Sequence, residues 1–207
     1  MERVAIRIEN IEKRYGSEQV LGSLSLSVEG GEIVGIVGAN GAGKSTLLRI
    51  LAGAEKPDGG SVRLENIGKD ETGYVPQELA LYESLTGRQN LNYWAAAAGV
   101  FMKRRRVRVR YLLELVNLTD KADKPVSSYS GGMKRRLNLA CALIGDVKLL
   151  LLDEPTVGAD AASVELMLEA VKRLAEKGCA VLLVSHHTDE IKRLCTRTVE
   201  LRKGRIE

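Results

Sequence analysis

The stretch Gly38-Ala39-Asn40-Gly41-Ala42-Gly43-Lys44-Ser45-Thr46 decides how this chain is read. The apolar run Ile33-Val34-Gly35-Ile36-Val37 precedes it, and Leu47-Leu48-Arg49-Ile50-Leu51-Ala52 follows it. Together they predict a buried strand, a glycine loop and a helix. The loop has the form G-x-x-x-x-G-K-[ST], the P-loop pattern. Its glycines let backbone N–H groups turn inward around phosphate oxygens. The start of the helix adds its positive dipole end to the same anion. Gly38, Asn40, Gly41, Ala42, Gly43, Lys44, Ser45 and Thr46 are thus candidates for holding the phosphates of a nucleotide. Lys44 can reach the terminal phosphates, and the Ser45 hydroxyl can ligate Mg²⁺. A random chain of this size would carry the pattern on the order of 1% of the time, and the flanking strand and helix narrow that further.

Composition sets the frame around this loop. The 207 residues are 44% hydrophobic and 28% charged, which suits one globular domain, with or without subdomains. Aromatics are only 4%, so the core must rest on Leu, Val, Ile and Ala. A net charge of +4 does not by itself argue for nucleic acid or membrane binding. Cys141, Cys179 and Cys195 are odd in number and form no C-x-x-C, so reduced thiols in a cytosolic protein are expected. The start, Met1 to Arg7, alternates like a strand and carries the early acid Glu2, unlike a secretory signal. No apolar run approaches the ~20 residues of a membrane helix, so a soluble chain is expected.

Residues 3–9 alternate at period two, as does Leu21 to Val28, with turns at Tyr15-Gly16 and at 29–32. These predict an antiparallel β-subdomain over about 1–30, joined by about 60–73. Residues of about 84–140 change to helical spacing and predict a helical insert, with Tyr111, Leu112, Leu115 and Leu118 on one face. Val107-Arg108-Val109-Arg110 imitates an edge strand, but its neighbours are helical. Val147 to Leu152 and Ala180 to Val184 are continuous apolar runs, suited to strands buried on both faces of a parallel sheet. Val164, Met167, Leu168, Val171 and Leu174 predict an amphipathic helix between them. A short helix over 189–195 and a last strand over 198–201 complete an α/β domain of 1–207 with a parallel-sheet P-loop NTPase core.

Two further clusters carry chemistry. Leu149 to Leu152 ends in Asp153-Glu154, two acids at the carboxyl end of a buried strand, where open α/β sheets bind ligands. Asp153 is placed to hold Mg²⁺. Glu154 is placed to take a proton from the attacking water, or to orient it. Ser130-Gly131-Gly132 opens a basic helix and forms a second nest of N–H groups, beside the ordinary reading of Ser130 as an N-cap. One P-loop already supplies an anion cradle, so a second nest suggests a phosphate approached from another subunit.

Tyr15, the loop 38–46, Gln77, Tyr129 to Met133, Asp153-Glu154-Pro155-Thr156, Gly158-Ala159-Asp160 and His186 occur in order and spacing along nearly the whole chain. With them the sequence resembles an ATP-binding-cassette (ABC) transporter ATPase subunit. The resemblance implies a head-to-tail dimer, of two copies or of homologous subunits, with each ATP between one P-loop and the other protomer's Ser-Gly-Gly. It implies that Tyr15 stacks on adenine and that Gln77 contacts Mg²⁺ and water and couples the site to a membrane partner. It further implies that Ser130, Gly131 and Gly132 bind the opposite γ-phosphate, that Asp160 lies at the dimer contact, and that His186 bonds the γ-phosphate. His187 would then point away. Tyr129 and Met133 stand where the family most often has Leu and Gln, and Ala159 replaces a Leu. The signature, with Leu81 to Leu91, looks like the drug- and lipid-exporter type. Localisation at the inner face of the cell membrane, through an integral membrane subunit, is implied with it. A non-transport ATP-driven switch acting on a protein or nucleic-acid partner is the alternative. A duplicated cassette or coiled-coil insert would favour it, and neither is seen.

Six basic residues, Lys103, Arg104, Arg105, Arg106, Arg108 and Arg110, crowd one helix. A solvated face is the ordinary reading, and contact with anionic headgroups or an acidic loop the sharper one. No aromatic residues are interleaved as nucleic-acid binding would want. Only Lys203 to Glu207 follow the last predicted strand, so no appended regulatory domain is expected.

Overall fold

The structure, a computed structural model, describes residues 4–207. The predicted start of the first strand at Arg3 lies outside that range. Strands β1 (Val4–Tyr15) and β2 (Glu18–Glu29) form an antiparallel hairpin closed at Gly16. Strand β3 (Ile33–Val37) then leads into helix α1 (Lys44–Leu51) through the glycine loop. Strand β4 (Gly59–Leu64) returns to pair antiparallel with β1, giving a three-stranded sheet in the order β2-β1-β4.

A second sheet carries β5 (Thr72–Val75), β6 (Leu149–Asp153), β7 (Ala180–Val184), β8 (Arg197–Arg202) and β9 (Arg205–Ile206) together with β3. Its order is β5-β6-β7-β3-β8-β9, and every pairing is parallel except the β8–β9 hairpin. The sheet is therefore mixed, where the sequence predicts a parallel one ending near Leu201. Thr72 and Gly73 pair with Leu149 and Leu150 here, so the larger sheet holds the last residues that the sequence gives to the β-subdomain.

Leu149 to Leu152 and Ala180 to Val184 are buried throughout, because the sheet is covered on both faces; Val147 is half-buried and Lys148, a charged residue inside the first predicted run, is exposed before the strand begins. Alternation along β6 divides its leucines. Leu149 and Leu151 join a core with Ile6, Ile8, Leu24, Val34, Leu47 and Leu48, beneath the three-stranded sheet and α1. Leu150 and Leu152 join the core formed with the helices. Those helices are α2 (Gly87–Ala97), α3 (Met102–Leu115), α4 (Gly131–Ala142) and α5 (Ala161–Glu176); α6 (Thr188–Leu194) precedes β8.

Local chemistry sets the helix ends. Thr86 and Gln89 form a reciprocal capping box at α2. Val107 to Arg110 is helical, as its neighbours require. The buried stripe of α3 is Val109, Leu112 and Leu113, and Tyr111, placed on the apolar face by its spacing, is 41% exposed. Arginines cap this helix pair reciprocally. Arg108 of α3 donates to the carbonyls of Leu143, Ile144 and Gly145 beyond α4, and Arg136 of α4 donates to those of Val116 and Asn117 beyond α3. Cys141 and Cys179 are buried and Cys195 is half-buried. All three are free, with thiol pKa values pushed up by burial, to about 12 for Cys179 and about 11 for Cys195.

Candidate active site

At the carboxyl ends of β3, β6 and β7 lies a cavity of about 580 Å³. Tyr15, Glu18, Val20, Asn40, Gly41, Gly43, Lys44, Ser45, Thr46, Gln77, Asp153, Glu154, Val184 and His186 line it. Gly38 and Ala42 do not line it, and Ala42 is buried in the core beneath the three-stranded sheet and α1. A Cβ on Gly38 would lie 2.2 Å from the Leu201 carbonyl oxygen, so only glycine lets the loop leave the sheet this closely. Gly43 takes φ of +101° against the Val20 carbonyl and the Leu21 side chain and opens α1 with no side-chain cap. The first-turn N–H groups of α1, which lack intrahelical acceptors, thus have no side chain competing for them. Lys44, only 7% exposed, donates to the carbonyls of Gly38 at 2.8 Å and Ala39 at 2.9 Å. Its ammonium is held within the loop by neutral acceptors that a phosphate can outcompete.

The Ser45 hydroxyl donates to Asp153 Oδ1 at 3.1 Å. Burial holds the Asp153 carboxyl above its ordinary value, against the opposing pull of Ser45, Arg49 and Lys44. A hydroxyl and a carboxylate are hard oxygen donors, the kind Mg²⁺ prefers. Among the described residues no group of three or more His, Cys, Asp or Glu could hold a metal. A cation here must take its other ligands from phosphate and water, the usual arrangement for Mg²⁺.

Glu154 is 3% exposed with φ of +49°, a left-handed conformation that costs a non-glycine residue on the order of 1 kcal/mol. Its N–H bonds to the Val184 carbonyl, extending the sheet by one residue, while its side chain turns into the cavity. Oε2 accepts the His186 backbone N–H at 3.3 Å. Oε1 lies 3.2 Å from His186 Nε2 but out of line for a hydrogen bond, and is buried without a partner. Burial raises the pKa of this carboxyl. A buried acceptor left open beside the P-loop is suited to a water or a ligand hydroxyl.

Tyr15 is 45% exposed at the rim. Its hydroxyl donates to Glu55 at 2.5 Å and accepts from Arg49 at 3.1 Å, which fixes the ring's position.

Ser130, Gly131, Gly132 and Asp160 do not line this cavity. They form a separate patch where α4 and α5 begin together. Ser130 Oγ accepts the Met133 N–H at 3.3 Å and so caps α4; Asp160 accepts the Ser163 N–H at 2.9 Å and caps α5. A Cβ on Gly132 would lie 2.2 Å from Asp160 Oδ2, so glycine is what lets the two helix starts touch.

Two connections escaped the sequence reading. Arg135 donates from Nη1 to the Gln77 carbonyl at 2.6 Å and from Nε to the Val157 carbonyl at 2.9 Å. It ties the signature helix to the loops on either side, and no local motif marks it. Buried Glu190 accepts from Thr156 Oγ1 and Ser185 Oγ, joining the loop after β6 to the loop after β7 that carries His186. A larger cavity, about 820 Å³, lies between β5, α2 and α4. Trp94, Ala97, Ala98, Ala142 and Val147 line it, and it lacks the convergent acids and N–H groups of the nucleotide site.

The ABC transporter family profile matches residues 21–157. The linearmycin resistance ATP-binding protein LnrL of Bacillus subtilis is 39% identical over 209 residues, covering 97% of this chain and 67% of that protein. The Nod factor export ATP-binding protein I of Sinorhizobium fredii is 39% identical over 210 residues, covering 98% and 61%. The chain thus spans about two thirds of the length of these relatives. An ATP-binding subunit of an ABC transporter superposes with a TM-score of 0.88 at 28% identity, over 98% of this chain and 88% of that one. A dimeric post-hydrolysis cassette bound to ADP and Pi does so at 0.87 and 27%, over 98% and 96%. With a P-loop, an acid pair and a Ser-Gly-Gly helix start on this fold, the chain belongs to the ABC transporter family, as an ATP-binding subunit.

Proposed function

We propose that this chain binds Mg-ATP between two cassettes and hydrolyses it to drive export through a separate membrane subunit. The observation that carries the reading is the open, buried Oε1 of Glu154 beside Lys44 and Ser45. Lys44 exchanges the Gly38 and Ala39 carbonyls for the terminal phosphates. Ser45, Asp153 and Gln77 hold Mg²⁺, which when bound supplies charge neutralisation on the phosphate oxygens. Glu154 Oε1 takes the proton of the attacking water, favoured by a raised pKa that brings the base nearer to neutral. His186 Nε2 turns from Glu154 to the γ-phosphate. Tyr15 stacks on the adenine.

The second wall of each site is the partner cassette's patch equivalent to Ser130, Gly131, Gly132 and Asp160, which in one chain stands apart from its own P-loop cavity. The partner is a second copy or a homologous ATPase. The larger cavity beside Ala80, three residues beyond Gln77 and lined by both apolar and polar side chains, suits a segment of the membrane subunit, which would hold the protein at the inner membrane face. Among the described residues no helix is long and apolar enough to cross a membrane. The exporter reading draws on the names of the relatives. The test is to co-purify the chain with its membrane subunit and screen compounds for stimulation of ATP hydrolysis. An exported compound should raise the rate several-fold with Mg²⁺ present; a complex that no exported compound stimulates counts against transport.

A further inference from the structure

The start of α3 is amphipathic on the outside. Phe101 is 79% exposed and Met102 80%; Val107 at 59% and Tyr111 at 41% are exposed farther along, on a different face of the helix from Met102. These are four of the eight large apolar side chains that stand exposed among the described residues, gathered within eleven positions. Basic side chains are interleaved with them, and no Asp or Glu occurs between Glu83 and Glu114. The structure divides the basic cluster in two. Arg108 is occupied with the carbonyls beyond α4, and Arg105 donates to the Val100 carbonyl. Lys103, Arg104 and Arg106 have no acidic or hydrogen-bonding partner for their side chains among the described residues, and Arg110 only reaches Glu114 at 4.0 Å. Asp70 and Asp146, both exposed, and Glu71, which is paired with Lys148, line the hollow beside Arg104 and Arg108.

A merely solvated helix face has no need to hold a phenylalanine and a methionine out in water. A water-exposed apolar tip set among unpaired cations fits one surface, the headgroup layer of an anionic bilayer, where apolar side chains enter the acyl boundary and cations meet phosphates. We propose that Phe101, Met102 and the cations Lys103, Arg104 and Arg106 at the start of α3 form a lipid-contact surface for anionic membranes. Gly99 lines both the hollow beneath Phe101 and the cavity assigned above to the membrane subunit, so the two surfaces adjoin. That adjacency rests on the transporter reading. The lipid contact itself does not, and vesicle binding and ATP hydrolysis can fail separately.

The test is co-sedimentation of the full chain with phosphatidylcholine vesicles, with and without phosphatidylglycerol. Binding is expected only with phosphatidylglycerol, weakening as salt rises. Arg104→Gln with Arg106→Gln should lower the partition coefficient about thirtyfold. Phe101→Ala with Met102→Ala should lower it about tenfold or more. Both double variants should bind ATP as the parent does, which shows that they are folded. Equal binding to neutral vesicles, or binding that survives either double variant, overturns the proposal. So does binding to a polyglutamate peptide but not to vesicles, which would make the partner an acidic protein segment.

Discussion

Glu154 is held in a costly state. Its backbone is left-handed, its carboxyl is buried, and one oxygen has no hydrogen-bond partner. Burial raises its folded pKa, and a group so raised gives stability that is present below its unfolded value and lost as pH rises through the folded one. Ionised Glu154 therefore weighs against the nucleotide-free fold at neutral pH. Glu154→Gln should raise the Tm at pH 7, and the gain should vanish in acid below the ordinary carboxylate range. A thermal melt at both pH values checks this. The same substitution should leave ATP binding intact and slow hydrolysis about 10² to 10⁴-fold, the range of a general base, read by single-turnover assay. The two readouts separate what the residue costs the fold from what it does for the chemistry. The sequence exposed Glu154 because a four-leucine run ends in it. It could not expose the open Oε1, which depends on where His186 comes to rest.

At the scale of elements, the site is a set of loops held in register by side chains from elsewhere. Arg135 reaches the Gln77 and Val157 carbonyls, across 58 and 22 residues of sequence. No acid pairs with it in those contacts, so its worth is positional. Arg135→Gln should leave ATP affinity within about twofold and lower kcat about tenfold, because a loop misplaced by ~1 Å can cost more than that. If affinity falls as much as kcat, the arginine acts on binding rather than on position. Such bridges were illegible because they join loops that no motif unites. Elements with a strong period or cap were readable: the P-loop strand and helix, the runs 149–152 and 180–184, and helix α5. The β9 strand was not, since Lys203-Gly204 is a weaker hairpin signal than Asn-Gly and the strand is two residues long. In α3, alternating Val and Arg gave a strand-like signal, and packing of Val109, Leu112 and Leu113 decided for a helix.

For the molecule as a whole, β6 is the hinge between two cores. Leu151 is fully buried in the core beneath the three-stranded sheet and α1. Leu151→Ala should cost about 2 to 5 kcal/mol of stability, measured by urea unfolding without nucleotide. A loss under 1 kcal/mol would mean that this core is loosely packed. The sequence already pointed to a phosphate on another subunit for the second nest, Ser130 to Gly132, and in the structure the P-loop cavity of one chain excludes those residues. The central claim is that ATP joins two cassettes through those nests. It is tested most directly by the mass of the Glu154→Gln protein in solution, by light scattering, with and without Mg-ATP. The account predicts a monomer without nucleotide, a dimer with it, and a return to monomer when Ser130→Glu is added. A Glu154→Gln protein that stays monomeric at saturating Mg-ATP, or a dimer indifferent to Ser130→Glu, would contradict it.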